Sequence, residues 1–252
     1  MSVKNSGESA ALEGRHAVTE ALRTGRPIDK LYILKGGDAG LSEIRSRARA
    51  AHVPTVEVDR RRLDDMSVTG AHQGVIAAVP AAEYADPEDI LRAAQADSAP
   101  ALIVLCDGLS DPHNLGAIVR TAGAAGAHGV IIPRHRSVSL TAAAAKAAAG
   151  ALEHVPVARV TNLADTIDWL RKNGIWVFGT AGEAEMSLYD AELDRPAAIV
   201  IGSEGTGLSR LVRERCDYLV SIPMKGAVPS LNASAAAAVV LFEAVRRRLG
   251  RG

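Results

Sequence analysis

Aromatic residues are scarce in this chain, at 3% of its 252 residues, although 48% of the residues are apolar. Alanine fills much of that apolar fraction, which predicts closely packed helices and few rings on which bases could stack. An apolar fraction near one half excludes a largely disordered chain. The length is sufficient for one large domain or two modest ones.

Cysteine is also rare. Cys106 and Cys216 are the two cysteines of the chain and lie far apart, which excludes a disulfide framework and the usual zinc spacings. We predict buried thiols in a reducing compartment and no metal site. No apolar run reaches the length of a membrane span, and no secretory signal is recognisable at the start. We therefore expect a cytoplasmic protein with no membrane partner.

The net charge of the chain is zero as well, because 29 basic residues balance 29 acidic ones. This balance argues against a general nucleic-acid coat protein, which would be basic overall. The charge is uneven along the chain, however. Residues 1–62 hold 12 basic and 8 acidic side chains, whereas residues 63–118 hold 1 and 9. Any contact with RNA is therefore expected at the two ends of the chain.

Short strands and helices alternate through the first third of the sequence. This pattern predicts a small α/β domain over residues 13–80, preceded by a disordered tail at residues 1–12. The acidic stretch from Pro80 to Pro87 is bounded by prolines, and it predicts a linker over residues 81–98 that contains a short helix.

Longer apolar strands begin near residue 101 and predict a second α/β domain over residues 99–252. Strands that are continuously apolar are usually covered on both faces, as in a parallel sheet. The strands are predicted at residues 101–106, 129–132, 176–179, 197–201 and 219–222, and the helices between and after them at 115–125, 142–149, 163–172, 208–215 and 231–248. A ligand cleft is expected at the carboxyl ends of these strands.

A first candidate motif, Asp111-Pro-His-Asn114-Leu-Gly-Ala-Ile-Val-Arg120, follows a strand and opens a helix. Asn114 is either the N-cap of a helix that begins at Leu115 or a functional amide. Arg120 lies among small and apolar residues, where it is either a surface cation or, if buried, a guanidinium that needs an anionic partner.

A second motif, Gly202-Ser-Glu204-Gly-Thr-Gly207, follows an apolar strand. Its glycines would let a ligand approach the backbone closely, but their spacing is not that of a dinucleotide-binding loop, and no phosphate-binding lysine follows. A nucleotide-dependent oxidoreductase is therefore disfavoured. Glu204 suits a ligand with hydroxyls or positive charge, or alternatively it is simply a carboxylate near a helix N-terminus.

The third motif is Ile222-Pro-Met224 followed by Ser230-Leu-Asn232-Ala-Ser234, at the start of an alanine-rich helix. Ser230 is the predicted N-cap of that helix. Asn232 and Ser234 would then lie in its first turn, where an unpaired polar group in a tightly packed setting is costly. Both side chains are therefore predicted to have partners.

Together the three motifs resemble, in order and spacing, those of the SpoU/TrmH family of RNA ribose 2′-O-methyltransferases, which belongs to the SPOUT superfamily. The resemblance covers nearly all of residues 100–249, and Ala233 stands where the family tends to have valine. Each motif alone is weak evidence, but the ordered set is specific. The likeness extends to the RlmB-like branch through Glu13-Gly-Arg-His-Ala-Val, His72-Gln-Gly-Val and Gly179-Thr-Ala-Gly182.

The resemblance implies a SPOUT domain with a parallel sheet and a deep trefoil knot, an L30e-like N-terminal domain that binds RNA, and a homodimer. It also implies S-adenosylmethionine as cofactor and 2′-O-methylation of a guanosine in 23S rRNA. The alternatives are the same chemistry on tRNA or on another rRNA nucleotide, as in relatives that confer antibiotic resistance, and an RNA-binding protein that has lost catalysis.

The resemblance also implies roles for individual residues. The catalytic set is Asn114, Arg120, Glu204, Ser230 and Asn232, and the cofactor-binding set is Thr180, Ala181, Gly182, Ile201, Gly202, Ile222, Met224, Ser230 and Leu231. In the N-terminal domain Arg15, Arg45, Arg49 and Arg61 are predicted to contact RNA, although each could equally belong to a solvated surface.

The family picture has Arg120 activate the ribose hydroxyl. A guanidinium is always protonated in proteins, and shifting its pKa by about five units would cost about 7 kcal/mol. Arg120 is therefore expected to act as a cation that stabilises the developing alkoxide, while Glu204 or water takes the proton.

Overall fold

The computed structural model describes residues 10–250, which divide into two compact units. The first reaches Glu83 and includes Thr141–Ala143, and the second comprises Tyr84–Leu140 and the chain from Ala144 onward. None of the helices in the described part of the chain is long and apolar enough to cross a membrane.

The first unit is a four-stranded mixed sheet with three helices. Its elements are β1 (Ala10–Glu13), α1 (Arg15–Thr24), β2 (Lys30–Leu34), α2 (Ala39–Ala50), β3 (Thr55–Val58), α3 (Arg60–Met66) and β4 (Val75–Val79). The strand order is β1-β4-β2-β3, with β2 and β3 parallel and the other pairs antiparallel. Val18 and Leu41 of the helices pack on Leu31, Ile33 and Val75 of the strands.

Two features of this unit differ from the sequence-based expectation. Residues 10–12 were expected in a disordered tail, but they belong to β1, which pairs with β4 and packs Leu12 against the core. Residues 1–9, the rest of that tail, lie outside the described residues. Helix α3 was not predicted. It begins after Asp59, whose side chain accepts a hydrogen bond from the Arg62 backbone N–H at 2.9 Å.

Two motifs that carried the N-terminal resemblance meet in this unit. Gly14 has a φ of +89°, which favours glycine, and its N–H donates to the Val75 carbonyl at 3.2 Å. The Arg15 backbone N–H donates to Gln73 Oε1 at 3.1 Å, and the Arg15 guanidinium donates to the Gln73 carbonyl at 3.1 Å. The residues at both motifs therefore join the end of β1 to the start of β4.

From residue 84 the chain forms the elements of a larger parallel α/β layer. They are α4 (Pro87–Ala96), β5 (Leu102–Cys106), α5 (Pro112–Ala124), β6 (Gly129–Pro133), α6 (Ala142–Ala148), β7 (Val157–Val160), α7 (Leu163–Lys172), β8 (Trp176–Thr180), β9 (Met186–Ser187), β10 (Ala197–Ile201), α8 (Arg210–Arg215), β11 (Tyr218–Ser221) and α9 (Ala233–Leu249). Short 3₁₀ turns cover Ala151–Glu153 and Leu188–Asp190.

The seven strands of this unit have the order β7-β6-β5-β10-β8-β11-β9, and every neighbouring pair is parallel. All residues of β5 and β10 are buried, as expected for central strands of a covered parallel sheet. The predicted parallel α/β fold is confirmed. The carboxyl ends of all seven strands lie at one edge, where the ligand cleft was predicted.

Several boundaries in this unit also differ from the expectation. The short helix expected within the linker is α4, but it belongs to the second unit, because its Ile90, Leu91 and Ala94 lie in the core of that unit. Strand β7 was not predicted, and β9 is a two-residue strand that the sequence pattern did not indicate.

The two caps proposed for the motif helices were wrong. Helix α5 begins at Pro112, and its N-cap is Asp111, which accepts the His113 N–H at 2.9 Å. Asn114 is therefore inside the helix, and it is buried. Helix α9 begins at Ala233, and its cap is Asn232 rather than Ser230.

Candidate active site

A cleft opens at the carboxyl ends of β8, β10 and β11, which are neighbours in the sheet. Its volume is about 230 Å³. The nine residues predicted to bind the cofactor all line it: Thr180, Ala181, Gly182, Ile201, Gly202, Ile222, Met224, Ser230 and Leu231. The three strand ends thus bring together loops that are widely separated in the sequence.

The loop after β10 is a tight hairpin whose first residue must be small. The Ser203 N–H donates to the Gly207 carbonyl at 3.0 Å, and the Gly207 N–H donates back to the Ser203 carbonyl at 3.0 Å. A Cβ atom on Gly202 would lie 2.4 Å from the Gly207 carbonyl carbon, which is too close for any side chain. This fold of the backbone places Glu204 beside the cleft, which it lines.

Glu204 is the acceptor at the centre of a cluster of three polar side chains. Asn114 Nδ2 donates to Glu204 Oε1 at 2.6 Å, and Asn232 Nδ2 donates to the same oxygen at 2.5 Å. Asn232 Nδ2 also lies 3.0 Å from Asn114 Oδ1. Oε2 of Glu204 has no hydrogen-bond donor within the described residues, so it is free to accept one from a ligand.

Asn232 has a second function as the cap of α9. Its Oδ1 accepts hydrogen bonds from the Ser234 N–H at 2.9 Å, the Ser234 hydroxyl at 2.6 Å and the Ala235 N–H at 3.4 Å. The oxygen of this amide therefore stabilises the helix, while its nitrogen holds Glu204. Asn232 and Ser234 were both predicted to have hydrogen-bond partners, and each is a partner of the other.

The other two predicted catalytic residues lie apart from this cluster. Ser230 lines the cleft and forms no hydrogen bond within residues 10–250. Arg120 is exposed on α5, does not line the cleft and has neither a hydrogen bond nor an ion pair among the described residues. It lies six residues after Asn114, and at about 100° per residue this separation places it about 120° away around the helix.

Sequence reasoning missed several residues of the cleft. Ser203, Val220, Pro229 and Ala236 also line it. Val220 belongs to an apolar strand, and Ala236 lies one helical turn after Asn232, so their positions relative to the motifs could have indicated them. Pro229 carried no signal of its own.

The four arginines predicted to contact RNA fall into two pairs. Arg15 forms an ion pair with Asp38 at 2.8 Å, and Arg45 donates to the carbonyls of Leu34 and Gly36. Arg49 and Arg61, in contrast, are exposed and have no hydrogen-bonding or ionic side-chain partner among the described residues. The second pair has the more available guanidinium groups.

The two cysteines are unsuited to nucleophilic chemistry. Cys106 is fully buried in β5, and Cys216 is partly buried after α8. Burial raises the pKa of both thiols to about 12, so neither forms a thiolate near neutral pH. In the part of the chain that the structure describes, no cluster of three histidine, cysteine or acidic side chains is arranged to hold a metal.

Comparison with known proteins identifies the fold and its chemistry. Residues 101–242 match the model of the SpoU rRNA Methylase family. The chain belongs to this family. Residues 11–85 match a second model, described as RNA 2′-O ribose methyltransferase substrate binding. The predicted family resemblance is confirmed, and the chain is an RNA methyltransferase of the SpoU/TrmH type that depends on S-adenosylmethionine.

The relatives agree with this assignment over almost the whole chain. A protein of Bacillus subtilis (strain 168), named as a TrmH family tRNA/rRNA methyltransferase, is 46% identical over 236 residues, which are 93% of this chain and 94% of that protein. A protein of Staphylococcus aureus (strain MSSA476) with the same family name is 47% identical over 242 residues, which are 96% and 97% of the two chains.

Solved structures show the same architecture. The SpoU methyltransferase AviRb from Streptomyces viridochromogenes, in complex with AdoMet, has a TM-score of 0.61 and 28% identity, and the match covers 95% of this chain and 90% of that one. An AdoMet-bound rRNA methyltransferase from Sinorhizobium meliloti has a TM-score of 0.58 and 27% identity, with 94% and 86% covered. The predicted cofactor is confirmed as S-adenosylmethionine.

The lining of the cleft fits this cofactor. Ile201, Ile222 and Leu231 offer apolar surface of the kind that a flat adenine ring needs. Gly202 also lines the cleft, and its backbone groups could form hydrogen bonds with the adenosine part of the cofactor. The carboxylate of Glu204 lines the same cleft and suits a ligand that carries a positive charge.

Proposed function

We propose that this chain methylates a ribose 2′-hydroxyl of a guanosine in 23S rRNA. The observation that carries the proposal is the cluster of Asn114, Glu204 and Asn232, which holds a carboxylate beside the cleft with one oxygen left open. The family description of residues 11–85 as a 2′-O ribose methyltransferase substrate-binding region supports the ribose oxygen as acceptor.

When bound, S-adenosylmethionine supplies a methyl group already activated by its sulfonium. The remaining work of the protein is to align the ribose oxygen and to help remove its proton. Gly202, Ile222 and Leu231 would hold the adenosine part in the cleft, with Thr180, Ala181 and Gly182 along one side. Ile201, Met224 and Ser230 complete this proposed binding surface.

Glu204 is the group proposed to accept the proton of the ribose hydroxyl through Oε2. The two amides that donate to Oε1 fix the orientation of the carboxylate, so that it need not reorganise during the reaction. Ser230 lines the same cleft, and its hydroxyl would help to position the substrate.

Arg120 would supply positive charge for the developing alkoxide, as argued from its fixed protonation. Because it does not line the cleft of its own chain, we propose that it completes the site of a second copy. Helix α5 packs on α9, and α9 exposes Phe242 and Leu249, with 47% and 75% of their surface accessible. These apolar side chains fit the predicted homodimer.

The choice of RNA rests on the resemblance to the RlmB-like branch, and tRNA is the alternative, since the relatives are named for both. With rRNA as the substrate, the protein would act in the cytoplasm. The test is incubation of the purified chain with radiolabelled S-adenosylmethionine and either 23S rRNA or tRNA transcripts, followed by mapping of 2′-O-methyl groups.

We expect label at one guanosine of 23S rRNA and none with Glu204→Gln, which keeps the size of the side chain but removes the proton acceptor. Calorimetry with S-adenosylmethionine should show binding by both proteins. Label on tRNA alone would replace the proposed substrate. A folded wild-type protein that binds the cofactor and methylates neither RNA would contradict the proposal.

A further inference from the structure

A second cavity lies at the same edge of the parallel sheet as the cofactor cleft. It follows the carboxyl ends of β7, β6, β5 and β10, which are adjacent in that order. Its volume is about 380 Å³. Its polar lining includes Asp107, His135, Arg136, Ser203 and Ser209. None of the three motifs accounts for the basic residues of this set.

The hairpin that carries Glu204 separates the two cavities. Ser203 and Gly207 line both of them. On the side of the second cavity, the loop after β5 packs close to this hairpin, because a Cβ on Gly108 would lie 3.8 Å from the Ser203 Cβ and 3.9 Å from the Arg136 carbonyl oxygen. Only this hairpin would therefore lie between a group bound in the second cavity and the Glu204 carboxylate, which is proposed to accept the proton.

The loop after β6 supplies the positive charge. His135 and Arg136 are exposed and have no hydrogen-bonding or ionic side-chain partner among residues 10–250. Arg136 has a φ of +56°, in the left-handed region that residues other than glycine rarely adopt. Any substitution at this position must therefore tolerate the left-handed backbone.

The cavity also contains acceptors and hydroxyls, and this mixture matches a nucleotide better than a simple anion. Asp107 Oδ2 accepts the Ser209 N–H at 2.6 Å, so the protein already compensates part of its charge. The other carboxylate oxygen could accept from a ribose hydroxyl. Phosphate oxygens of the strand would accept hydrogen bonds from Arg136 and His135, since most hydrogen bonds between proteins and DNA also go to phosphate and sugar groups.

We propose that this cavity holds the RNA backbone next to the ribose that is methylated, with Arg136 and His135 on its phosphate. The inference rests on the proposed function, because it takes the target ribose to lie at Glu204. The two cavities then have distinct ligands: the cofactor on one side of the hairpin and the substrate strand on the other. Phosphate contacts fix the position of the strand rather than its sequence.

The test uses the full chain with Arg136→Asn, since asparagine tolerates the left-handed backbone but carries no charge. Arg136→Lys keeps the charge, and Arg92→Gln is the matched control, because Arg92 is an exposed arginine on α4 of the same unit. Binding of the 23S rRNA transcript is measured by filter binding at several salt concentrations, and cofactor binding is measured by calorimetry.

Each phosphate contact contributes about 0.7 to 0.9 to the logarithmic slope of affinity against salt. We expect R136N to bind RNA severalfold more weakly, with its slope lower by about that amount, and to bind S-adenosylmethionine as the wild type does. R136K should restore the slope, and R92Q should not change it. His135→Gln should change RNA affinity in the same direction as R136N.

If R136N and H135Q both keep the wild-type affinity and slope while the wild type methylates RNA, this inference is overturned and the proposed function stands. If R136N does not fold, H135Q decides. A wild-type protein that binds no RNA and transfers no methyl group would overturn both. An equal loss of affinity in R92Q would show that the effect comes from net charge alone. The proposed binding of RNA in the cavity would then be overturned.

Discussion

Asn114 and Glu204 are 90 residues apart in the sequence, yet the Asn114 amide donates to Glu204 Oε1 at 2.6 Å. The first lies in the first turn of α5 and the second in the hairpin after β10, and β5 and β10 are neighbouring parallel strands. Asn232 then reaches the same oxygen from the start of α9. One residue of each sequence motif therefore belongs to a single cluster of hydrogen bonds in the folded chain.

The first prediction separates the two functions of Asn232. Serine and aspartate are N-caps about as good as asparagine, so both Asn232→Ser and Asn232→Asp keep the cap, and Asn232→Ser should leave the free energy of unfolding nearly unchanged. Both variants lose the donor to Glu204, and the aspartate adds a repelling charge. We expect methyl transfer to fall by about 100-fold in each, measured with radiolabelled cofactor alongside thermal unfolding.

Asn232→Ala is the companion variant, because it removes the cap as well and should cost about 1 kcal/mol of stability. A wild-type rate in N232S would mean that the bond to Glu204 is not needed for transfer. The serine variant is decisive here, since its result does not depend on the introduced negative charge.

The parallel sheet could be predicted because its central strands are short, continuously apolar runs. Such runs are typical of strands that are covered on both faces. It did not predict the start of α5, because Asp111 and Asn114 are both good caps and the pattern alone does not choose between them. Pro112 decides: proline is favoured at the first helical position, which makes Asp111 the cap. Pro87 has the same position in α4, so the short helix that was predicted within the linker begins at that proline.

Other features had no local signal. Strand β7 consists of four residues with a charged one in its middle, which is too short for a clear alternation. Arg120 and Asn114 lie in one motif but on different faces of α5, so the sequence does not show whether Arg120 acts in the site of its own chain or of a partner, and its catalytic role stays a prediction. The trefoil knot is a property of how the whole chain is threaded, which no periodicity encodes, and it stays a prediction.

The second prediction tests whether Arg120 acts in the site of a partner. Arg120→Ala and Glu204→Gln are each expected to abolish transfer, and calorimetry should show that both variants still bind S-adenosylmethionine. If the variants are mixed and allowed to exchange subunits, half of the dimers are mixed, and each of these has one intact site. We therefore expect about one quarter of wild-type activity to return.

Recovery would require that Arg120 and Glu204 come from different copies. A mixture that stays inactive, although sedimentation shows mixed dimers, would place both residues in one chain. A wild-type protein that sediments only as a species near 26.3 kDa would contradict the homodimer itself. Arg120→Lys should also transfer poorly, because a point charge cannot reproduce the planar guanidinium.

The third prediction concerns acid stability of the first unit. Partial burial raises the pKa of Glu13, but donors from Ser67, Thr69 and the Val68 backbone outweigh it and lower the pKa from 4.5 to about 2. The Ser67 hydroxyl and the Val68 N–H each lie 2.6 Å from the carboxylate. These bonds join the end of β1 to the loop after α3.

Because the folded pKa is the lower one, this carboxylate stabilises the fold fully above about pH 4.5 and progressively less as the pH falls to about 2. Thermal unfolding between about pH 6 and about pH 2 should show a smaller acid-induced loss in Glu13→Gln than in the wild type. Asp65→Asn is the control, since Asp65 is an exposed carboxylate of the same unit without a hydrogen bond or ion pair among residues 10–250. Identical pH profiles for wild type and E13Q would exclude this role.

The last prediction is that the first unit selects RNA through arginines whose side chains form no hydrogen bond or ion pair among the described residues. Arg49 and Arg61 are exposed and unpaired within the described residues, whereas Arg23 and Arg47 form helix ion pairs with Glu20 and Glu43. The double variants R49Q/R61Q and R23Q/R47Q therefore remove the same charge from two different sets. The first should lower the logarithmic salt slope of binding to the rRNA transcript by about 0.7 to 0.9 for each phosphate that the variant no longer binds. The second should leave the slope near that of the wild type, and neither should change cofactor affinity, because the cleft lies entirely within the second unit. Equal slopes for the two double variants would show that RNA responds only to net charge, and Arg49 and Arg61 would then have no specific role in substrate binding.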